Sequence, residues 1–493
     1  MKKDRALALG AEALSITAVI GKKTFGGMDQ AAFASFSQDR NPLHMDPVKA
    51  RRFLSGAQVV HGVNLLLTAL DMLVAGDCRL TEINRVACEF KVAVNLGEEV
   101  TYVLEELSAD RIVIHGYLTS VVCTKITLFF GEPRTIDATS PVGRQTIEVG
   151  GLAEPLNLSE QECSQFSANL TWNDRTADQV CSIYPALSAA YGVNFCQAFA
   201  TLSYIVGMVC PGLNSMFLSL DVKIAECWRS TRQLSFHVSK FEDRIKLIDM
   251  QVDDGPLFGV IKAFRRPEPV RQPGLDELTA FVGESEFRAM DSFVIGGSRG
   301  LGELTGKIIA TGGGKVTLGY AIGKDDAERV RDEINKRFSG VCDIRRIDIN
   351  QIGDAAAMLA TKDAVFYFPT PVISKKINTI FSQDVFQKFL EFYVYAFSAL
   401  CYRLEALATK RIRVFYPSTV FVEDRPNGMT EYAMAKAAAE LMIADMNRVL
   451  NHVKIHVVRL PRLKSDQTNS IFQVKTEHNI DYLLSAVRGT AAL

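Results

Sequence analysis

Three groups of residues in this chain have the types and spacing for chemistry. The first lies in FASFSQDRNPLHMDPVKARR, where Asp39, Asn41, Pro42, His44 and Asp46 fall within eight residues. A carboxylate and an imidazole that hold one water between them form a general acid–base pair. Pro42 stiffens the loop between Asp39 and His44, and Asn41 is expected to orient a partner. VVHG follows, and the free N–H donors at the start of a buried helix near Gly62 suit an oxygen that gains negative charge. The second group is GGSRGLG at 296–302, a glycine-rich turn with Gly296, Gly300 and Gly302 that leaves room for a pyrophosphate at a helix N-terminus. The third is Tyr432 and Lys436 in EYAMAKAAAE, one helical turn apart. An ammonium beside a phenol is expected to lower its pKa, so that it passes a proton to or from a carbonyl. YPSTVF at 416–421 supplies a hydroxyl just upstream.

Two joints organise the elements that carry these groups. One runs from Gly131 to Gly151; the other is RRPEPVRQPG, Arg265 to Gly274, with three prolines in ten residues. Three segments result, 1–135, 150–265 and 285–493. The first two resemble each other: HGVN at 61–64 returns as YGVN at 191–194, an offset of 130, and at that offset INRVACEFKVAV parallels LNSMFLSLDVKI. Each reads as a long buried helix followed by strands, including 99–105 and 111–130 in the first copy and 233–239 and 244–252 in the second. The third segment alternates: strands at 293–295, 315–319, 343–347, 364–368, 413–416 and 454–459 are separated by helices, with a long one over 384–409 and another over 432–447. That alternation predicts a parallel sheet covered on both faces.

The set D-x-N-P-x-H-x-D-P with the following His61-Gly62 resembles the R-specific enoyl-thioester hydratases and MaoC-like dehydratases over residues 25–131, and EFKVAVNLGEEVTYVLEEL matches that family's strand pair. The resemblance implies a hotdog fold, Asp39 and His44 as the acid–base pair, and a thioester oxygen held near Gly62. A hydroxyl that the family carries a turn into the central helix is replaced by Leu65–Leu67, with Thr68 nearest. The second copy has Tyr191 in place of His61 and no acid–base motif, so it reads as the degenerate half of a double hotdog that completes a pseudo-dimer and shapes the acyl tunnel.

The third segment resembles the short-chain dehydrogenase/reductase family over 290–470. The resemblance implies Tyr432 as acid/base, Lys436 on the ribose, and Ser418 orienting the carbonyl, with Thr419 as its rival. It further implies a cofactor held by Gly296, Ser298, Arg299, Gly300, Leu301, Gly302, Asp348 and Lys436. The strand at 315–323 ends without an acidic residue, and Arg299 and Lys324 lie nearby, which favours NADP(H). The family's Asn-Asn-Ala-Gly turn is replaced by Tyr367-Phe368-Pro369-Thr370, and Tyr395 stands where a catalytic Asn is expected; RLPRLKSDQT at 459–468 fits the loop beside the nicotinamide.

The expected fold is therefore an α+β double hotdog followed by an α/β Rossmann-type doubly wound parallel sheet. The expected function is bifunctional: (R)-specific 2-enoyl hydratase or 3-hydroxyacyl dehydratase, plus NADPH-dependent 3-ketoacyl reductase. Two alternatives stay open, that only one half is catalytic, or that the chain is a non-catalytic thioester-binding subunit of a larger synthase. The substrate carrier is CoA or an acyl carrier protein. Across 493 residues the formal net charge is −1, which gives no nucleic-acid signature, and no apolar run reaches ~18 residues, which excludes a membrane span. The N-terminal stretch, broken by Glu12 and followed by Lys22-Lys23, is a poor signal peptide. Ten scattered cysteines and seven histidines show no zinc or disulfide pattern, so the expectations are a cytoplasmic chain, no metal, and a homodimer or higher homo-oligomer.

Overall fold

The computed structural model describes residues 14–53, 55–76, 83–131, 145–173, 177–353, 355–373, 381–470 and 474–493. The chain forms two compact units, one running to Glu268 and the other from Pro269 onward apart from residues 470–472. Both halves expected at 1–135 and 150–265 fall in the first unit. Residues 132–144 of the first joint lie outside the described residues. The second joint carries neither helix nor strand from 266 to 274, as its prolines require.

The first unit holds an eleven-stranded sheet. Its strands are β1 (Leu14–Thr24), β2 (Ile83–Phe90), β3 (Glu99–Leu107), β4 (Arg111–Leu118), β5 (Val121–Phe130), β6 (Gln145–Glu148), β7 (Ser167–Thr171), β8 (Ser215–Ile224), β9 (Gln233–Glu242), β10 (Leu247–Asp254) and β11 (Leu257–Arg265). Their order is β1-β3-β4-β5-β2-β8-β11-β10-β9-β7-β6. The order β3-β4-β5-β2 is thus answered in mirror by β8-β11-β10-β9. The copies meet where β2 pairs antiparallel with β8, and there Glu89 faces Ser219, the residue 130 positions on. A pseudo-two-fold axis passes through that pair. The stretch 111–130, expected as one strand, is a hairpin. Thr119 and Ser120 read as strand residues, but Thr119 takes φ +55 and turns the chain.

A central helix packs on each half of this sheet. Gly62–Ala75 buries Val63, Leu65, Leu66, Leu67, Ala69, Leu70 and Leu73. A fully buried Leu contributes about 2 kcal/mol of apolar transfer, so this helix is fixed by packing rather than by propensity. Val193–Tyr204 is its counterpart and continues into a π-helical turn, Ile205–Val209. One continuous apolar core draws on both copies, from Phe25 to Ala263.

The second unit holds six parallel strands, β12 (Asp291–Ile295), β13 (Lys315–Tyr320), β14 (Cys342–Arg346), β15 (Ala364–Tyr367), β16 (Ile412–Thr419) and β17 (Val453–Leu460). Their order, β14-β13-β12-β15-β16-β17, is the 3-2-1-4-5-6 arrangement of a doubly wound sheet. Its topological switch lies between β12 and β15, where crevices for nucleotides form. The long helix is present from Gln383 to Leu407, but a π-helical turn, Glu391–Tyr395, interrupts it. Among the described residues no single helix is long and apolar enough to cross a membrane.

Candidate active sites

The loop after helix Gly27–Ser37 carries Asp39, which is 1% exposed. His44 sits on the short helix Pro42–Met45, opened by Pro42 and capped by the Asn41 side chain, which accepts from Leu43 N–H. His61 precedes the helix Gly62–Ala75 and is fully buried. The structure brings these three together: a carboxylate oxygen and one nitrogen of each ring lie within 4.8 Å of one another. The His44 and His61 rings stack at 3.8 Å with planes 24° apart. A metal ion sits near the plane of each imidazole that binds it, and two stacked planes cannot share one, so this cluster does not suit a cation. Gly62 stands at the helix start, where a Cβ would press on the Phe90 ring at 3.0 Å.

Hydrogen bonds fix the tautomers. His44 Nδ1 lies 2.6 Å from the Val59 carbonyl, which only accepts, so Nδ1 carries the proton and Nε2 is left as the basic nitrogen. His61 donates from Nε2 to the Asp39 carbonyl at 3.0 Å. Asn41 does not reach the acid–base pair with its side-chain amide. Its Nδ2 donates to Gly207 O at 2.8 Å and Gly212 O at 3.0 Å, so the orienting role expected for Asn41 is corrected to that of a clamp on the loop. Thr68 donates to Asn64 Oδ1.

In the second unit, helix Thr430–Val449 presents Tyr432 and Lys436 inward. Lys436 Nζ donates to Pro417 O at 2.5 Å and lies over the rings of Tyr393 at 3.8 Å and Tyr416 at 4.5 Å. Thr419 is the side chain that offsets the burial of the Tyr432 hydroxyl, while its Oγ1 accepts from Phe421 N–H at 3.2 Å. Ser418, the neighbour on β16, faces the other way and donates to Glu440, which Arg459 also holds. Alternation along the strand thus corrects Ser418 to Thr419. Tyr395 is 52% exposed, whereas Tyr393 is buried and meets the lysine. The π-helical turn adds a residue to the helical register, so spacing alone misplaces this position.

The glycine turn packs as a phosphate cradle does. Gly296 has φ +79 and Gly300 φ +59, and a Cβ on Gly302 would lie 2.2 Å from Gly296 O. Ser298 is buried, and Leu301 and Gly302 open helix Gly300–Thr311. Asp348 follows β14 and caps the next turn through Asn350 N–H. Arg299 is committed elsewhere: Nη1 donates to the buried Asp466 at 2.7 Å, so its side chain does not supply the cation expected for a 2′-phosphate.

Residues 19–127 match the family model described as MaoC like domain. Residues 19–127 are a MaoC-like domain. The chain is also similar to the (R)-specific enoyl-CoA hydratase of Aeromonas caviae, 37% identical over 89 residues, which is 17% of this chain and 63% of that enzyme. Thus the chain spans under two thirds of that relative. Over the C-terminal part it is similar to a short-chain dehydrogenase from Escherichia coli CFT073 solved with NADPH (16% identity, 41% of this chain and 92% of that one, TM-score 0.36). A second similar structure is the FolM alternative dihydrofolate reductase 1 from Brucella suis with NADP (12% identity, 35% and 73%, TM-score 0.31). The doubly wound character of the second unit is read from its own strand order.

Burial dominates the electrostatics of the MaoC-like site. It pushes the Asp39 carboxyl up, while the His44 charge, the Ser203 hydroxyl and the Asn41 N–H pull it back. His44 is pushed down by burial and further by the Arg266 charge, against the opposing pull of Asp39 and the Val59 carbonyl. His61 is held well below the ordinary histidine value by burial and by His44, so it stays neutral. In the second unit burial pushes Tyr432 up to about 12, opposed only by Thr419, and brings Lys436 down to about 7. The lowered phenol expected from the lysine is not what the geometry gives: Lys436 is engaged by Pro417 O and two ring faces instead.

Proposed function

We propose that the first unit interconverts 2-enoyl and (R)-3-hydroxyacyl thioesters, and that the second reduces 3-ketoacyl thioesters with NADP(H). The observation that carries the reading is the convergence of Asp39 and His44 on one buried spot inside a MaoC-like domain. In hydration, Asp39 and His44 Nε2 hold one water. As its oxygen bonds to C3, the pair takes one proton from the water and returns it to C2, so one O–H bond and the C2–C3 π bond are broken and one C–O and one C–H bond are formed. The Gly62 N–H, at the positive end of the central helix, holds the thioester oxygen as charge gathers there. His61 stays neutral and keeps the His44 ring flat against it.

The turn at 296–302 suits a dinucleotide, since Gly302, where a Cβ would lie 2.2 Å from Gly296 O, lets the helix start pack directly on the turn and bring its free N–H groups there. Gly296, Ser298, Gly300, Leu301, Gly302, Asp348 and Lys436 would hold it, and when bound it supplies the hydride. Tyr432 retains its proton at neutral pH, which is the form that donates to a ketone oxygen, and Thr419 orients that hydroxyl. β13 is followed by no acidic residue before Lys324, which supports NADP(H).

The test is loss of enoyl absorbance when the protein meets a short 2-enoyl-CoA without nicotinamide. Rapid loss that disappears in Asp39→Asn supports the hydratase. Loss that survives Asp39→Asn overturns Asp39 as a member of the acid–base pair. NADPH-dependent consumption of a 3-ketoacyl-CoA that survives Tyr432→Phe overturns Tyr432 as the proton donor of the reductase.

A further inference from the structure

The copy without an acid–base motif touches the catalytic carboxylate of the copy that has one. Ser203, on the central helix Val193–Tyr204, donates from Oγ to Asp39 Oδ2 at 2.7 Å, across 164 residues of sequence. Ser203 is buried. One turn on, Gly207 leaves empty the space that the carboxylate occupies: a Cβ there would lie 2.2 Å from Oδ1 and 2.4 Å from Oδ2. Glycine at 207 is therefore a requirement of Asp39, not of the helix, whose backbone stays in a π-helical turn. The same turn receives Asn41 Nδ2 at Gly207 O, and Arg40 N–H at Met208 Sδ.

We propose that the degenerate copy is a working part of the hydration site, with Ser203 as a positioning residue for Asp39. This rests on the hydration reading above. The Ser203 hydroxyl fixes which way the carboxylate points, and, as a donor to the charged form, favours ionised Asp39 against its burial. The charged and titratable groups around Asp39 are His44 and His61 from its own copy and Tyr204 from the second, with Arg266 acting on His44. None of these other groups hydrogen-bonds the Asp39 carboxylate through a side chain; among the described residues Oδ1 accepts only the Asn41 backbone N–H, at 3.2 Å.

The experiment compares Ser203→Ala and Ser203→Thr with the unaltered full-length chain. Two quantities are read: hydration of a short 2-enoyl-CoA against pH, and the Asp39 carboxyl titration by 13C NMR, assigned with Asp39→Asn. A hydrogen bond to a charged group is worth about 1.5–3 kcal/mol, so Ser203→Ala lowers kcat about 10- to 100-fold with KM little changed. It also moves both the acid limb of the rate profile and the Asp39 titration upward by about one pH unit. Ser203→Thr, which keeps the hydroxyl, restores most of both. A Ser203→Ala protein with unaltered kcat and acid limb overturns the proposal. If the unaltered chain hydrates no enoyl thioester, the hydration reading fails, and the NMR titration still decides Ser203: an upward shift sustains its hold on Asp39, and no shift removes it.

Discussion

In the first unit the proposed proton-transfer pair is a carboxylate and an imidazole, held by a stacked second imidazole, a backbone carbonyl and a hydroxyl from the other copy. In the second it is a phenol and an ammonium among aromatic rings, with one hydroxyl and one carbonyl for company. Burial presses every one of these groups toward its neutral form. The carboxylate meets that pressure with donors on both oxygens, while the phenol has a single hydroxyl and rises to about 12. The difference matches the roles proposed above, in which Asp39 exchanges a proton in both directions whereas Tyr432 gives one to a ketone.

Separating the two sites gives the largest expected effect. Asp39→Asn should lower enoyl-CoA hydration about 1,000-fold and leave ketoacyl reduction unchanged, with Tyr432→Phe doing the reverse, as steady-state assays on one preparation would show. Loss of both activities in either variant would break the comparison. Next comes Arg299→Leu. It strands the buried Asp466, which among the described residues keeps the Val270 N–H alone, and should cost about 3 kcal/mol in denaturant unfolding of the second unit. The NADPH-to-NADH preference should not change, because this guanidinium is already committed.

A smaller effect separates neighbours on β16. Thr419→Ala should slow reduction about 30-fold, on the scale of a lost hydrogen bond to the reacting phenol, and Ser418→Ala should stay within about twofold. The smallest effect concerns Lys436, whose pKa falls from 10.5 to about 7 on folding. Between those values the unfolded chain keeps a proton that the folded chain releases, so stability rises with pH across that window. Lys436→Met removes the dependence. Its stability relative to the unaltered chain should fall by about 1 kcal/mol for each pH unit from 8 to 9, followed by thermal unfolding.

Much of the fold and of both sites is legible in the order of residues. Asp39, Asn41, Pro42 and His44 are neighbours in sequence and remain so in space, and the repeat of GVN at an offset of 130 reappears as the pairing of Glu89 with Ser219. The glycine turn and the Y-x-x-x-K step are local too. What escapes depends on register or on distance along the chain. Choosing between Ser418 and Thr419 needs the face of β16 that looks at Tyr432. Placing Tyr393 rather than Tyr395 needs a π-helical turn that helical periodicity does not announce. His61 is visible beside Gly62, yet its stacking on His44 is set by packing. Ser203 and Gly207 carry no motif; only the fold brings them to Asp39.

The pseudo-two-fold axis at Glu89 and Ser219 has a consequence for how such a site changes over generations. In a pair of identical chains every substitution appears twice, so a residue good for one role is imposed on its mirror place as well. Joined head to tail in one polypeptide, the copies are inherited together but altered separately. Leu73 occupies in the first copy the place that Ser203 has in the second, and it is buried in the apolar core. A hydroxyl could be placed where one carboxylate needs it without opening a hole in the core of its twin.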